Sequence, residues 1–258
     1  MQRRSTTPFL LALCACLLPA LLSAQQFRAL LVTETAGWHH GSITSGIPAL
    51  EKLAERHQFA IDRQQHALPI SDASLEKYDV IIMLNTTGDL FNDEEQAAFE
   101  RFIQSGKGWV GIHSASDTEY DWAWYTQLVG HMFNVHPHNQ TAMLQVRDGN
   151  FPGLERWPER MLWTDEWYDF QDATVDDLNY ILTVDETTYD ATADWGAKKT
   201  DGMGELHPIA WYHDFDGGRA FYTALGHIDQ TFEDAFFLEH LYGGIYWAAT
   251  GKGLPTKK

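Results

Sequence analysis

The stretch Gly108 to Asp117, GWVGIHSASD, constrains this chain more than any other. Trp109, Val110 and Ile112 form an apolar run that reads as a buried strand. The run ends in Gly111-Ile112-His113-Ser114-Ala115, where small residues flank one reactive side chain. That is the outline of a nucleophile elbow, a sharp turn that lifts one side chain to the carboxyl edge of a sheet. The lifted residue in such elbows is usually Ser or Cys. An imidazole there, His113, points to proton transfer or metal binding rather than acyl transfer.

The rest of the first half agrees with a sheet of this kind. Phe27 to Thr33 is a continuous apolar run typical of a central parallel strand. A helix is predicted from about Ile43 to His57, with Ile47, Leu50, Leu53 and Ala54 on one face. Phe59 to Arg63 reads as a short strand, Ser71 to Lys77 as a helical turn and Tyr78 to Leu84 as a third strand. Asn92 or Asp93 caps a helix running to about Ser105, stopped by Gly106 and Gly108. A short helix is expected near Trp122 to Val129. This alternation predicts an α/β fold, a doubly wound and mostly parallel sheet with helices on both faces. Ligands of such sheets bind outside the carboxyl ends of the strands, here the loops Thr35 to Ser42, Asn85 to Leu90 and His113 to Tyr120. The second half reads as strands at Thr141 to Val146, Leu178 to Val184, Pro208 to His213 and Arg219 to Ala224. A turn at Asp214 to Gly218 and a closing helix from about Glu233 to Ala249 complete it.

The N-terminus reads as a secretory signal over residues 1–24. Arg3 and Arg4 precede the apolar run Phe9 to Leu22, and Leu22-Ser23-Ala24 offers a cleavage site. Residues 25–258 are then one domain, exported to the periplasm or beyond. The alternative is a lipoprotein acylated at Cys16. Both cysteines, Cys14 and Cys16, lie in the signal, so the mature chain has neither thiolate nucleophile nor disulfide. Losing Arg3 and Arg4 takes the formal charge from -18 to -20. So acidic a chain repels nucleic acid and anionic membranes, and no membrane association is expected after cleavage.

Five constellations carry chemistry. Gly37-Trp38-His39-His40-Gly41 follows the first strand, and one of its two histidines faces the sheet edge. At the elbow stand His113, Ser114 and Asp117, where Ser114 and the following amides can donate to an anionic oxygen. His131, His136 and His138 form a cluster whose spacing fits no familiar zinc motif. In Trp163 to Phe170, Glu166 lies among aromatics that favour general acid-base work. In Tyr222 to Asp229, a strand ends in Gly226-His227, and Asp229 is spaced to orient the imidazole. Of the ten tryptophans, Trp38, Trp122, Trp124, Trp167 and Trp195 sit in or beside polar loops, where an indole can stack on a neutral sugar. Catalytic work is assigned to His113, Glu166 and His227. Substrate binding is assigned to Trp38, His39, Ser114, Asp117 and Trp167, and divalent metal binding, zinc first, to His40, His113 and His227. No nucleotide cofactor is expected.

The order of these motifs resembles the trehalose-utilisation (ThuA-like) family: TxGWHHxSI, GxGWVGIHSASD, GHxFxxHP, TDEWYxF, HPxAW and GRxFYTALGH. The likeness runs from about Phe27 to Gly251 and departs at Glu34-Thr35-Ala36. It implies a flavodoxin-like, class I glutamine amidotransferase-like fold without the amidotransferase cysteine, with His113 at the elbow and His227 where the amidotransferase histidine would fall. It also implies a role with disaccharides and their 3-keto derivatives, a metal ion in some members, and site residues His39 or His40, His113, Glu166 and His227. The resulting expectation is an exported enzyme acting on a glycoside or keto-sugar by His/Glu acid-base chemistry. A non-catalytic carbohydrate-binding protein on the same fold is the alternative. A true glutamine amidotransferase is excluded by the missing thiol.

Overall fold

A computed structural model describes residues 25–64 and 70–254, so the signal reading of residues 1–24 lies outside the described residues. The first half alternates as the apolar pattern predicts: β1 (Arg28–Val32), α1 (Ile43–His57), β2 (Ala60–Gln64), α2 (Asp72–Leu75), β3 (Val80–Leu84), α3 (Asp93–Gln104), β4 (Gly108–Ile112) and α4 (Ala123–Val129). Asn92 caps α3, accepting from the Glu94 and Glu95 amides while Glu95 reaches back to the Asn92 amide.

The second half contributes β5 (Phe133–Val135), β6 (Gln140–Val146), β7 (Arg160–Asp165), β8 (Asp169–Phe170), β9 (Asn179–Asp185), β10 (Ala193–Asp194), β11 (Lys199–Thr200), β12 (Pro208–Phe215), β13 (Gly218–Thr223) and α5 (Ala235–Thr250). A nine-stranded sheet runs in the order β2-β1-β3-β4-β13-β12-β9-β6-β7. Its first five strands are parallel and the four from β12 outward are antiparallel. Pairs β5-β8 and β10-β11 stand apart from it.

Both faces of the sheet are covered. A Cβ on Gly108 would strike the Ala248 carbonyl of α5, whereas the next residue, Trp109, packs edge-on against Tyr125 of α4. Successive strand residues point to opposite faces, so α5 and α4 lie on opposite sides. Gly111 gives Trp109 and Tyr222 room that a side chain would occupy. The strands β3 and β4 are wholly buried, as a doubly covered parallel sheet requires. No helix among the described residues is long and apolar enough to cross a membrane.

Parallel strands bring their carboxyl ends to one edge. The loops after β1, β3 and β4 are stitched there by bridges Thr35–Thr87 and Gly88–Thr118. The antiparallel extension then carries the segment after β7 back over the same edge, through hydrogen bonds from the Gly226 and His227 amides to Asp165.

Candidate metal centre and cavity

The β4 strand ends in an elbow. Ile112 is extended, and His113 takes a positive φ of 51°, a left-handed conformation uncommon outside glycine. Tyr222 donates to the His113 carbonyl at 2.6 Å and lies 2.8 Å from Ser116 Oγ, fixing the turn from the neighbouring strand. The turn continues as a short 3-10 stretch over His113–Asp117. The expected helix-start amides are therefore missing from this position, since the next α-helix begins only at Ala123.

His113 Nδ1 faces the Ala224 carbonyl at 2.7 Å. A carbonyl only accepts, so Nδ1 carries the hydrogen and Nε2 presents its lone pair. That Nε2 lies 3.2 Å from His227 Nδ1 and 3.4 Å from Glu166 Oε2, and the latter two atoms are 3.1 Å apart. His40 stands edge-on to both His113 and His227, and its Nδ1 meets Ser114 Oγ at 3.2 Å. One donor atom from each of His40, His113, Glu166 and His227 lies within 4.8 Å of the others.

This donor set fits a divalent cation. Three imidazoles and one carboxylate are ordinary zinc ligands, and tetrahedral bonds of about 2.0–2.1 Å put ligand atoms roughly 3.3 Å apart. The Ala224 carbonyl behind His113 is the outer-shell partner that orients a ligating imidazole. Charge states agree. Burial, then the neighbouring His113 and His227, push His40 down to about 3, so it is neutral and able to ligate. Burial pushes Glu166 up, but the adjacent imidazoles of His113 and His227 outweigh it and hold the carboxyl well below its usual range. Burial lowers His227, and the hydrogen bond to Glu166 more than reverses this, leaving it raised.

His40, Glu166 and His227 line a cavity of about 340 Å³, with His113 buried beside them. Its walls carry Phe133, Tyr168, His136 and Asp117, and its mouth carries Trp38 and Trp195. Those indoles are 72% and 50% exposed, unusual for tryptophan. A larger depression of about 600 Å³ lies beside Pro48 and Phe232, but no ligating cluster among the described residues gathers there.

Comparison with known proteins places the chain in a family. Residues 28–248 match the family described as ThuA: Trehalose utilisation. The chain belongs to the ThuA family. Curated proteins gave no match. Among solved structures, a ThuA-like protein from Bacteroides uniformis is 24% identical, with 88% of this chain and 92% of that one covered at a TM-score of 0.72. A ThuA-like protein from Parabacteroides merdae is 21% identical, with 90% and 92% covered and a TM-score of 0.68. A β-galactosidase from Bacillus circulans sp. alkalophilus is 14% identical, with 84% of this chain but 30% of that one covered, at a TM-score of 0.52. At these identities the structures establish the fold, the α/β class expected from the alternation. The family ties the chain to trehalose utilisation and carbohydrate metabolism.

Within this ThuA fold the residues singled out from the sequence separate clearly. His40, His113, Glu166 and His227 converge, and Trp38 and Asp117 line the cavity above them. His39 does not join them. It is exposed and meets Thr35 Oγ1, because adjacent residues on a loop point apart. Ser114 is buried behind His40 and so supports a ligand instead of touching a substrate. Trp167 is core, its indole donating to the Gln140 carbonyl, and Trp122 and Trp124 stack on each other away from the cavity. Asp229 accepts from Ser45; the carboxylate on His227 is Glu166. His131 is a structural histidine between the Gln171 carbonyl and Tyr180.

Three contributors were not assigned to the site from the sequence. His136 lies 3.2 Å from Glu166 Oε1, Tyr168 donates to His113 Nε2 at 2.9 Å, and buried Asp165 holds the His227 loop. The GHxFxxHP and TDEWYxF motifs contained all three, but only the pairing of β5 with β8 reveals that His136 and Tyr168 stand together.

Proposed function

We propose that this protein is an exported, metal-assisted enzyme that moves protons on a neutral keto-sugar or glycoside. The observation that carries the proposal is the convergence of His40, His113, Glu166 and His227 beneath an aromatic-lined cavity. His40, His113, Glu166 and His227 would hold the cation, which supplies a Lewis acid where charge develops on a substrate oxygen.

The chain's own groups account for the remainder. Trp38 and Trp195 present flat apolar faces suited to the C–H faces of a sugar ring. Among the described residues no lysine or arginine lines the cavity, which favours an uncharged substrate over a phosphorylated one. A ketone acidifies the hydrogen on the neighbouring carbon. His136 is the base best suited to take it: it lines the cavity, burial lowers its pKa, and its Nε2 stands 3.2 Å from Glu166 Oε1. The imidazolium that forms lies beside Glu166 Oε1. Tyr168, kept neutral by burial, is a phenol donor for the enolate oxygen. His113 and Glu166 thus act as ligands in this reading, and the proton falls to a neighbour.

The test is turnover of 3-keto-trehalose or a 3-keto-glucoside by the mature protein, with and without chelator. Turnover that chelation, His113→Ala and Glu166→Ala each abolish is the expected result. Unchanged turnover in both variants refutes the site. Sugar binding with no turnover on any of these compounds favours the non-catalytic alternative.

A further inference from the structure

Asp117 lines the same cavity as Glu166 and His227 but belongs to no ligand set. Its Oδ1 lies 2.7 Å from Tyr120 Oη, and that same phenol oxygen lies 2.8 Å from the Phe133 carbonyl oxygen. A phenol owns one hydrogen, a carbonyl none and a carboxylate none. Two oxygen pairs this close need two hydrogens, because facing lone pairs repel. Tyr120 cannot be the deficient group, since burial pushes its hydroxyl far above the ordinary range and keeps it protonated. The second hydrogen therefore sits on Asp117. The acid donates to Tyr120 Oη, and Tyr120 donates to the Phe133 carbonyl.

We propose that Asp117 is stored as a neutral carboxylic acid on the cavity wall and is the site's proton donor to an oxygen of a bound sugar. The inference rests on the acid-base reading above and narrows it to elimination. In a 3-keto-glycoside the C2 proton goes to His136. The electron pair left behind forms the C1=C2 double bond, and the C1–O glycosidic bond breaks with its pair on the departing oxygen. Asp117 protonates that oxygen to an alcohol and becomes a carboxylate. Tyr120 then turns its hydrogen from the Phe133 carbonyl to Asp117 Oδ1. No oxidant or reductant is consumed.

The surroundings support this storage. Burial pushes the Asp117 pKa up, and the opposing groups, Tyr120, Lys198, His113 and His136, leave it raised. Lys198 lies over the Tyr120 and Phe133 rings at 5.6 and 5.5 Å. Tyr168 and Tyr222 complete the titratable groups around it.

The experiment is infrared spectroscopy of the whole protein at neutral pH, comparing wild type, Asp117→Asn and Tyr120→Phe, alongside turnover of 3-keto-trehalose. A protonated-carboxyl C=O band present in wild type and lost in Asp117→Asn is expected; its absence from wild type overturns the inference. Asn reproduces the neutral acid's donation to Tyr120, so the variant should fold and keep its cation. It should lose turnover by about 100-fold or more, the usual worth of a positioned acid. Turnover equal to wild type overturns the donor role even if the band is present. Tyr120→Phe removes both the acceptor of the acid's hydrogen and the donor to its carboxylate; the net effect of Tyr120 is to lower the Asp117 pKa, so the alkaline limb of the pH profile should move upward, whereas a merely structural tyrosine would leave the limb in place. If wild type itself turns over no keto-glycoside, the proposed function fails, and the inference is decided by the band alone.

Discussion

His240 offers the most quantitative test of the electrostatic reasoning. It lies wholly buried in α5 among Trp157, Phe221 and Phe237. Neither ring nitrogen has a hydrogen-bond partner among the described residues. Burial pushes its pKa from 6.5 down to about 3. The fold therefore favours the neutral ring, and that preference is felt only when the unfolded chain binds a proton. Stability attributable to the site is intact above pH 6.5, declines as pH falls below it and levels off near the folded value. Each unit is worth about 1.4 kcal/mol, so by about pH 4.5 wild type should have lost roughly 3 kcal/mol at this site. His240→Leu removes the titration. At neutral pH it relieves two unpaired nitrogens, worth about 1–3 kcal/mol, against a similar cost for imperfect shape, so it should be no less stable than wild type. Urea unfolding of both proteins at about pH 7 and pH 4.5 measures the difference. The gap should widen by about 3 kcal/mol toward acid, or about 6–12 °C in melting temperature. Parallel acid dependence in the two proteins would refute the claim that the ring is held neutral without partners.

The remaining predictions concern the cavity. His40→Ala should strip the purified protein of its divalent cation while His39→Ala leaves it, as read by elemental analysis, because only His40 faces the cluster. Glu166 raises His227, so protons should compete for the cluster at higher pH than for an ordinary histidine, and cation retention in equilibrium dialysis should fall as pH drops through that raised range. Asp165→Ala should cost about 2–4 kcal/mol in urea unfolding, since Asp165 accepts from three amides and Thr231 in a buried loop. Trp38→Ala and Trp195→Ala should each weaken trehalose or keto-glucoside binding by about three- to tenfold in calorimetry and leave cation content unchanged.

Much of the fold was legible because burial on both faces leaves a simple trace. β1, β3 and β4 are apolar runs bounded by caps and glycines, and α1 has the predicted bounds, Ile43–His57. The strand β7 escaped because its polarity is inverted. Leu162 points to solvent while Asp165 points inward, so hydrophobic alternation, the usual signal, is absent. The two-residue pairs β8, β10 and β11 are too short to carry any period. At the site, the elbow at His113 and the paired histidines after β1 were visible as local patterns. The fate of each neighbour was not. His39 and His40 are alike in composition, and only the path of one loop across Thr87 decides which of them turns inward.

From its order of residues alone, the chain determines that helices and buried strands alternate, that an imidazole occupies the elbow, and that no thiol remains past residue 16. These are local properties, set by hydrophobic period and by the allowed backbone angles of a few neighbours. Tertiary structure decided which side chains meet. His40, His113, Glu166 and His227 are tens of residues apart, and they converge because parallel strands deliver their ends to one edge while the antiparallel extension folds Glu166 back over it. The same packing put Tyr120 Oη between Asp117 and the Phe133 carbonyl, within hydrogen-bond reach of both. Proton affinity at such a site depends on distances and on excluded water, and neither is written in any short stretch of sequence.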